Sequence, residues 1–129
     1  VEESMRHFGA VRGTVRYASC DIEYRDVLFP AGTFISIGLA EANHQASVFP
    51  DPDRFDITKP APEQPQLTFG SGIHYCLGAS LARAELQEAL PLLAQRMPNL
   101  RLDGPVTWKP DGVGIFGPAV MPIAFDAGH

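Results

Sequence analysis

Five prolines, Pro50, Pro52, Pro60, Pro62 and Pro65, fall between Val48 and Pro65. Each fixes its backbone φ and lacks an N–H donor, so neither a helix nor a central strand runs through this stretch. A chain of 129 residues is thus obliged to carry an irregular segment near its middle. Such segments inside compact domains are uncommon, and are either functional loops or disordered linkers. Phe49, Phe55 and Ile57 offer apolar anchors within it, which favours an ordered loop held against its neighbours. Glycine and proline contribute 12 residues each, 24 of 129. That share exceeds the ordinary value of about 12 per cent and stays below the roughly 25–30 per cent of disordered chains.

The flanking segments read as short elements of both kinds. Val1 to Phe8 is compatible with a helix, and Gly9 and Gly13 punctuate the stretch after it. Thr14 to Tyr17, Ile22 to Tyr24, Val27 to Phe29 and Thr33 to Ile37 read as strands, with a turn at Pro30-Ala31-Gly32. Gly38 to His44 has room for one or two helical turns. Leu77 to Met97 is the clearest helix. Ala82, Leu86, Ala89, Leu90 and Leu93 share one face at i, i+4, i+7, i+8 and i+11. Pro91 removes a backbone bond inside it and predicts a kink near Gln87 or an early end. Leu100 to Leu102 and Ala119 to Phe125 read as strands on either side of a loop rich in glycine and proline.

Charge and cysteine usage narrow the function classes. Ten basic and 15 acidic residues leave a net charge of −5, which argues against general binding of nucleic acid or of anionic membranes. No run of 18 apolar residues is present, so the chain contains no helical membrane span. Cys20 and Cys76 are too few and too far apart for a disulfide framework. Two separate thiols and a reducing, cytoplasmic setting are expected. The chain opens at Val1 inside a helical stretch, so a fragment is expected.

The densest local signal is FGSGIHYCLG, Phe69 to Gly78. Gly70, Gly72 and Gly78 permit a backbone path closed to other residues and the close approach of a flat ligand. Cys76 stands immediately before the long helix, where the free N–H groups of Leu77, Gly78 and Ala79 and the helix dipole favour a thiolate. A thiolate ligates metal or attacks an electrophile. Small residues after it, Gly78, Ala79, Ser80 and Ala82, leave room for something large. Three other readings stand beside metal ligation by Cys76. The cysteine fills a core position; it is a nucleophile activated by His74 or His44; or His74 and Cys76 contribute two ligands to zinc.

The segment FGSGIHYCLGASLARAE resembles the haem-binding signature of the cytochrome P-450 superfamily, F-G-x-G-x-H-x-C-L-G-x-x-L-A-R-x-E, at every fixed position. Glu3-Ser4-Met5-Arg6 resembles that family's E-x-x-R helix. Phe49 to Phe55 resembles its proline-rich meander, and Phe116 to Pro122 its terminal hairpin. The resemblance extends over nearly all of this chain and over the C-terminal part of the family's domain. It implies an α+β fragment of a mainly α fold: a long helix after the cysteine loop, short strands and hairpins, and the meander. Residues 1–129 would be the C-terminal haem-binding part of a single domain, with the N-terminal and distal-helix part absent.

The resemblance also implies roles. Cys76 would be the thiolate ligand of the iron of haem b (iron protoporphyrin IX). Phe69, Gly70, Gly72, His74, Gly78, Ala82 and Arg16 would contact the cofactor, with His74 and Arg16 near its two carboxylates. Glu3, Arg6 and Arg54 would form a buried structural triad beneath it. Ala10, Val11, Ile115 and Phe116 would border a pocket for a small apolar substrate, with Arg12 turned to solvent and Val113 and Gly114 nearby. The signature resembles soluble bacterial members, which implies a ferredoxin-type electron donor with an NAD(P)H-dependent reductase. Ala42-Asn43-His44-Gln45 and Lys59 depart from the common pattern, which has Ala-Asn-Arg-Asp and Arg there. The resemblance leaves two functions: a portion of a monooxygenase that cannot activate oxygen alone, or a catalytically silent fragment or partial haem-binding module. Either way, a haem-facing apolar surface left open predicts poor solubility or partial disorder of the isolated chain.

Overall fold

The computed structural model describes residues 1–60, 63–110 and 115–126. Helix α1 spans Glu2–Phe8, with acids in its first turn and Arg6 and His7 in its last, the polarity the helix dipole favours. Strand β1 (Gly13–Tyr17) pairs antiparallel with β4 (Phe34–Gly38), setting Gly13 opposite Gly38 and Arg16 opposite Ile35. Between them in sequence lies the hairpin of β2 (Ile22–Tyr24) and β3 (Val27–Phe29). Its two turn residues, Arg25 and Asp26, both have positive φ, 47° and 62°. Two left-handed residues give the turn whose twist suits antiparallel strands. Helix α2 (Leu39–Asn43) follows β4 directly. Its first amides, Leu39 N and Ala40 N, both donate to the Arg12 carbonyl at 2.9 and 3.0 Å, which fixes α2 against the segment leaving α1.

From His44 to Ser71 the described residues form turns and bends only, as the prolines require. The loop is ordered less by apolar anchors than the sequence suggests. Phe49 is buried, but Ile57 is 73 % exposed. Phe55 is largely exposed too, its ring 5.7 Å from that of His7 and 5.4 Å from that of Phe8. Side-chain cations on backbone carbonyls do the rest. Lys59 Nζ donates to the Pro50 and Asp51 carbonyls at 2.8 Å each. A proline-rich backbone has too few N–H donors to satisfy its own oxygens, so donors come from side chains.

Helix α3 runs Ala79–Arg96. It begins two residues after Leu77, because Leu77 and Gly78 are spent in the turn that leads into it. It also continues past Pro91 instead of ending there. The bond Pro91 cannot make leaves only the carbonyl of Gln87, an exposed residue, which water can satisfy. Along the anticipated apolar face Ala82 and Leu86 are half-buried, whereas Ala89, Leu90 and Leu93 are exposed. Only the first two positions of that face are partly covered, and no described element packs extensively along the rest.

At the C-terminal end β5 (Arg101–Leu102) pairs with β8 (Ile123–Ala124), and β6 (Thr107–Trp108) with β7 (Pro118–Val120). The single strand expected over Ala119 to Phe125 is thus two, broken at Met121-Pro122 where a donor is missing. Strand β6 had no sequence signal, being two residues long in a glycine- and proline-rich loop. Among the described residues the buried apolar side chains are few: Met5, Ala18, Leu39, Phe49 and Ala79. Arg6, Asn43, Gln66 and Thr68 are buried with them, so a polar network shares the centre of the fold. No described helix is long and apolar enough to cross a membrane.

Candidate functional site

The polar network is centred on Arg6, which is 4 % exposed. Its Nε and Nη2 donate to the two Glu3 carboxylate oxygens at 2.7 and 2.8 Å. Its Nη1 donates to the carbonyls of Asn43 (2.9 Å) and Pro52 (2.8 Å), and Nη2 also to that of Arg54 (3.3 Å). Glu3 Oε1 accepts a further bond from the Asp56 amide at 3.0 Å. The pair therefore ties α1 to α2 and to the proline-rich segment, as expected of Glu3 and Arg6. The third expected member differs. The Arg54 side chain is 71 % exposed and its guanidinium lies 3.3 Å from Asp56. Only its backbone carbonyl joins the cluster.

Hydrogen bonding to Arg6, with smaller help from the Asp56 amide, holds the Glu3 carboxyl down at about 2. A depressed carboxyl contributes stability that is complete above its ordinary value near 4.5 and is lost as pH falls toward 2. Stability measured by urea unfolding is expected to fall between about pH 4.5 and 2, and Glu3→Gln to flatten that limb.

Asn43 had no assigned role in the sequence, yet it is only 1 % exposed. Its Nδ2 donates to Thr68 Oγ1 (3.0 Å) and its Oδ1 accepts from the Leu67 amide (2.7 Å). Thr68 Oγ1 in turn donates to the Met5 carbonyl at 2.7 Å. These bonds deliver the backbone at residue 69 to a fixed position beside α1 and α2, where the cysteine loop starts.

That loop closes on itself. Cys76 N donates to the Phe69 carbonyl at 2.9 Å and Tyr75 N to that of Gly72 at 3.0 Å, around a 3₁₀ turn over Gly72–His74. Gly70 and Gly72 have φ of 70° and 71°, which a residue with a Cβ adopts only at a cost of about 1–2 kcal/mol. Gly78 is different from expectation: at φ −84° it needs no special freedom, and an added Cβ would meet only Cys76 Sγ, at 3.9 Å. Its smallness keeps space beside the sulfur instead. Gly72→Ala is accordingly expected to lower stability by about 1 kcal/mol in chemical unfolding of the haem-free protein, and Gly78→Ala to leave it unchanged.

Cys76 is exposed, so the described residues do not pack around it. It lies on the wall of a cavity of about 460 Å³, whose lining includes Ala10, Val11, Arg16, Phe69, His74 and Cys76. Gly70 also lines it. Helix α1's trailing segment, β1 and the cysteine loop are thereby brought to one place. Gly72, Gly78 and Ala82 flank the loop and the start of α3 without forming the wall. The Arg16 guanidinium rests on Thr14 Oγ1 (3.2 Å) and the Val15 carbonyl (2.8 Å) of its own strand. Phe116 N donates to the Ala10 carbonyl at 2.8 Å, joining the two expected substrate-facing segments. Its ring, however, stacks on Trp108 at 5.3 Å and lines a separate cavity of about 240 Å³ with His44. Ile115 is exposed outside both cavities. Arg12 is exposed, and its guanidinium lies over the Phe116 ring at 4.5 Å. Val113 and Gly114 lie outside the described residues.

Among the described residues no three His, Cys, Asp or Glu side chains gather as a metal cluster. His44 sits with His7, ring centroids 5.1 Å apart, on the other cavity, so it does not serve Cys76. What remains is one thiol, an apolar wall of Ala10, Val11, Leu39 and Phe69, and two basic side chains, Arg16 and His74. A flat apolar metal-bearing ring system with two carboxylates would fit that set, with Cys76 facing the metal and Arg16 and His74 the carboxylates, and the volume lies within the ordinary range of about 300–1,000 Å³ for ligand cavities.

Sequence reading also passed over Arg83. It forms a 2.6 Å ion pair with Glu2 on α1, bonds to the Tyr75 hydroxyl at 3.0 Å, and stands 4.8 Å over the Phe69 ring. Bonding to Glu2 and then to Tyr75 holds its guanidinium above the usual arginine range. Its position seven residues after the cysteine, at the start of the second turn of α3, was the available signal.

Comparison with known proteins identifies the family to which this arrangement belongs. The cytochrome P-450 family pattern matches residues 1–98, and the chain belongs to that family. It is 42 % identical over 130 residues to mycinamicin IV hydroxylase/epoxidase of Micromonospora griseorubida, covering 97 % of this chain and 32 % of that protein. To luteothin monooxygenase of Streptomyces thioluteus it is 40 % identical over 128 residues, covering 98 % and 31 %. Among solved structures, P450BioI in complex with a hexadec-9Z-enoic acid-ligated acyl carrier protein superposes with a TM-score of 0.89 at 39 % identity, over 97 % of this chain and 32 % of that one. CalO2 superposes with a TM-score of 0.90 at 33 % identity, over 99 % and 32 %. The chain thus spans about a third of the length of the relatives it matches, and the α+β arrangement is that of the C-terminal portion of their fold.

Proposed function

We propose that residues 1–129 are the C-terminal haem-binding part of a single cytochrome P-450 domain, and that Cys76 ligates the iron of haem b. The observation that carries this is the convergence of one thiol, an apolar wall and two basic side chains on one cavity. The bound haem supplies dioxygen binding and oxygen-atom transfer, with the thiolate donating electron density to the iron. This chain's residues hold and orient it. The Phe69–Cys76 backbone bond fixes the sulfur's direction. Arg16 and His74 serve the two carboxylates, a task for which guanidinium geometry is well matched. Phe69, Leu39, Ala10 and Val11 would give the bound group an apolar wall.

The protein carrying this chain is, on this reading, a cytoplasmic monooxygenase that oxidises a small apolar substrate. Its electrons come from a ferredoxin-type donor and an NAD(P)H-dependent reductase. Relatives named as a hydroxylase/epoxidase and a monooxygenase support the reaction class. Turnover is assigned to that protein and not to these residues alone; alone they act as a haem-binding module. The test is the carbon-monoxide spectrum of the reduced, haem-loaded protein: a thiolate-type band is expected, and a band typical of nitrogen or thiol ligation overturns the assignment.

A further inference from the structure

Arg83 gathers more contacts than an ordinary helix-surface arginine. Its Nε and Nη2 engage both Glu2 oxygens, at 2.6 and 3.2 Å. Its Nη1 donates to the Tyr75 hydroxyl at 3.0 Å and reaches the Ala79 carbonyl at 3.5 Å. Its plane lies over Phe69, whose ring is 6.4 Å from that of Tyr75. Glu2 is held in turn: its Oε2 accepts from Gln66 Nε2 at 3.2 Å, and Gln66 Oε1 accepts from the Thr68 amide at 2.7 Å. The contacts form a ring. It starts at Arg83, passes through Glu2 and Gln66 to the residues entering the cysteine loop, and returns through Tyr75 and Ala79 on its exit.

The Arg83 side chain is 30 % exposed and that of Glu2 57 %. A pair so open to water contributes at most about 1 kcal/mol to stability. Its geometry, more than its energy, distinguishes it. One planar group with five donors and a stackable face touches the aromatic residue that accepts the Cys76 backbone bond and the residue just before Cys76. We propose that Arg83 is the positioning residue of the Cys76 loop, fixing Phe69 and Tyr75 against α1 so that the sulfur keeps one direction. This inference rests on Cys76 being the iron ligand. Lysine can keep the charge but not the fork or the stacking, so it substitutes incompletely.

Hydrogen exchange at the Cys76 amide reads the loop with or without haem. In Arg83→Met that amide is expected to exchange roughly tenfold faster, the loss of about one charge-assisted hydrogen bond. Arg83→Lys is expected to fall between, and Tyr75→Phe, which removes only one arm, to give a smaller increase. Amides of α3 beyond Leu86 are expected to keep their rates. In the haem-loaded protein Arg83→Met is also expected to speed conversion of the thiolate-type carbon-monoxide band to the thiol-type band. Unchanged exchange at Cys76 in both Arg83 variants overturns the proposal, and so does equal acceleration along all of α3. Absence of a thiolate-type band in the unsubstituted protein instead overturns the ligand assignment, with the exchange rates still deciding whether Arg83 orders the loop.

Discussion

Cys76→Ala is expected to abolish the thiolate-type carbon-monoxide band completely, with no intermediate spectrum. The cavity wall holds a single sulfur, and no second thiol can replace it: Cys20 follows β1 at Ala18-Ser19, away from that wall. The loop itself should survive the change, because its closing bonds are made by backbone atoms, Cys76 N to the Phe69 carbonyl and Tyr75 N to that of Gly72. Haem is therefore expected to bind Cys76→Ala more weakly but still to bind, through the apolar wall and the two basic residues. His74→Gln and Arg16→Gln should do the reverse. Each keeps the thiolate-type band and loosens haem, by about tenfold in affinity for the loss of one charge-assisted bond. Haem titration followed by the reduced carbon-monoxide spectrum separates the two outcomes. A retained thiolate-type band in Cys76→Ala removes the central assignment.

Arg6→Met is expected to cost about 3–5 kcal/mol of stability, the ordinary consequence of removing one partner of a buried ion pair. The side chain is 4 % exposed and serves five acceptor oxygens: two of Glu3 and the carbonyls of Asn43, Pro52 and Arg54. Methionine fills the volume but leaves a carboxylate and carbonyls without donors. Arg54→Met, by contrast, is expected to change stability by less than about 1 kcal/mol, because that guanidinium is exposed and, among the described residues, pairs with Asp56 alone. Urea unfolding of the haem-loaded variants compares them directly. Equal losses at the two arginines would mean that the guanidinium of Arg54 enters the cluster after all.

The two arginines also show where sequence reading stops. The family resemblance placed Glu3, Arg6 and Arg54 together, and the structure pairs the first two by side chain. Whether Arg54 contributes its side chain or its carbonyl depends on how the proline-rich backbone turns, which no local pattern encodes. The strands β2 and β3 were legible to the residue, because alternating β-formers flank a two-residue turn. The cysteine loop was legible through its glycines, although only Gly70 and Gly72 are needed for their backbone angles. Asn43 and Thr68 read as ordinary polar residues. Their burial is created by partners 24 to 63 positions away, a separation invisible to periodicity. For α3 the pattern named an apolar face but could not say what lies against it.

The carbonyl-binding cations of the proline-rich segment bear on the order of assembly. Within that segment Lys59 reaches back only 8 or 9 positions, whereas Arg6 must meet Pro52 and Arg54 across 46 and 48. Closing the long separation costs chain entropy before any bond rewards it. The nested β1–β4 and β2–β3 ribbons lie inside that span and shorten it by folding locally first. The segment is expected to gain its shape late, as a seam sewn shut once both of its edges exist.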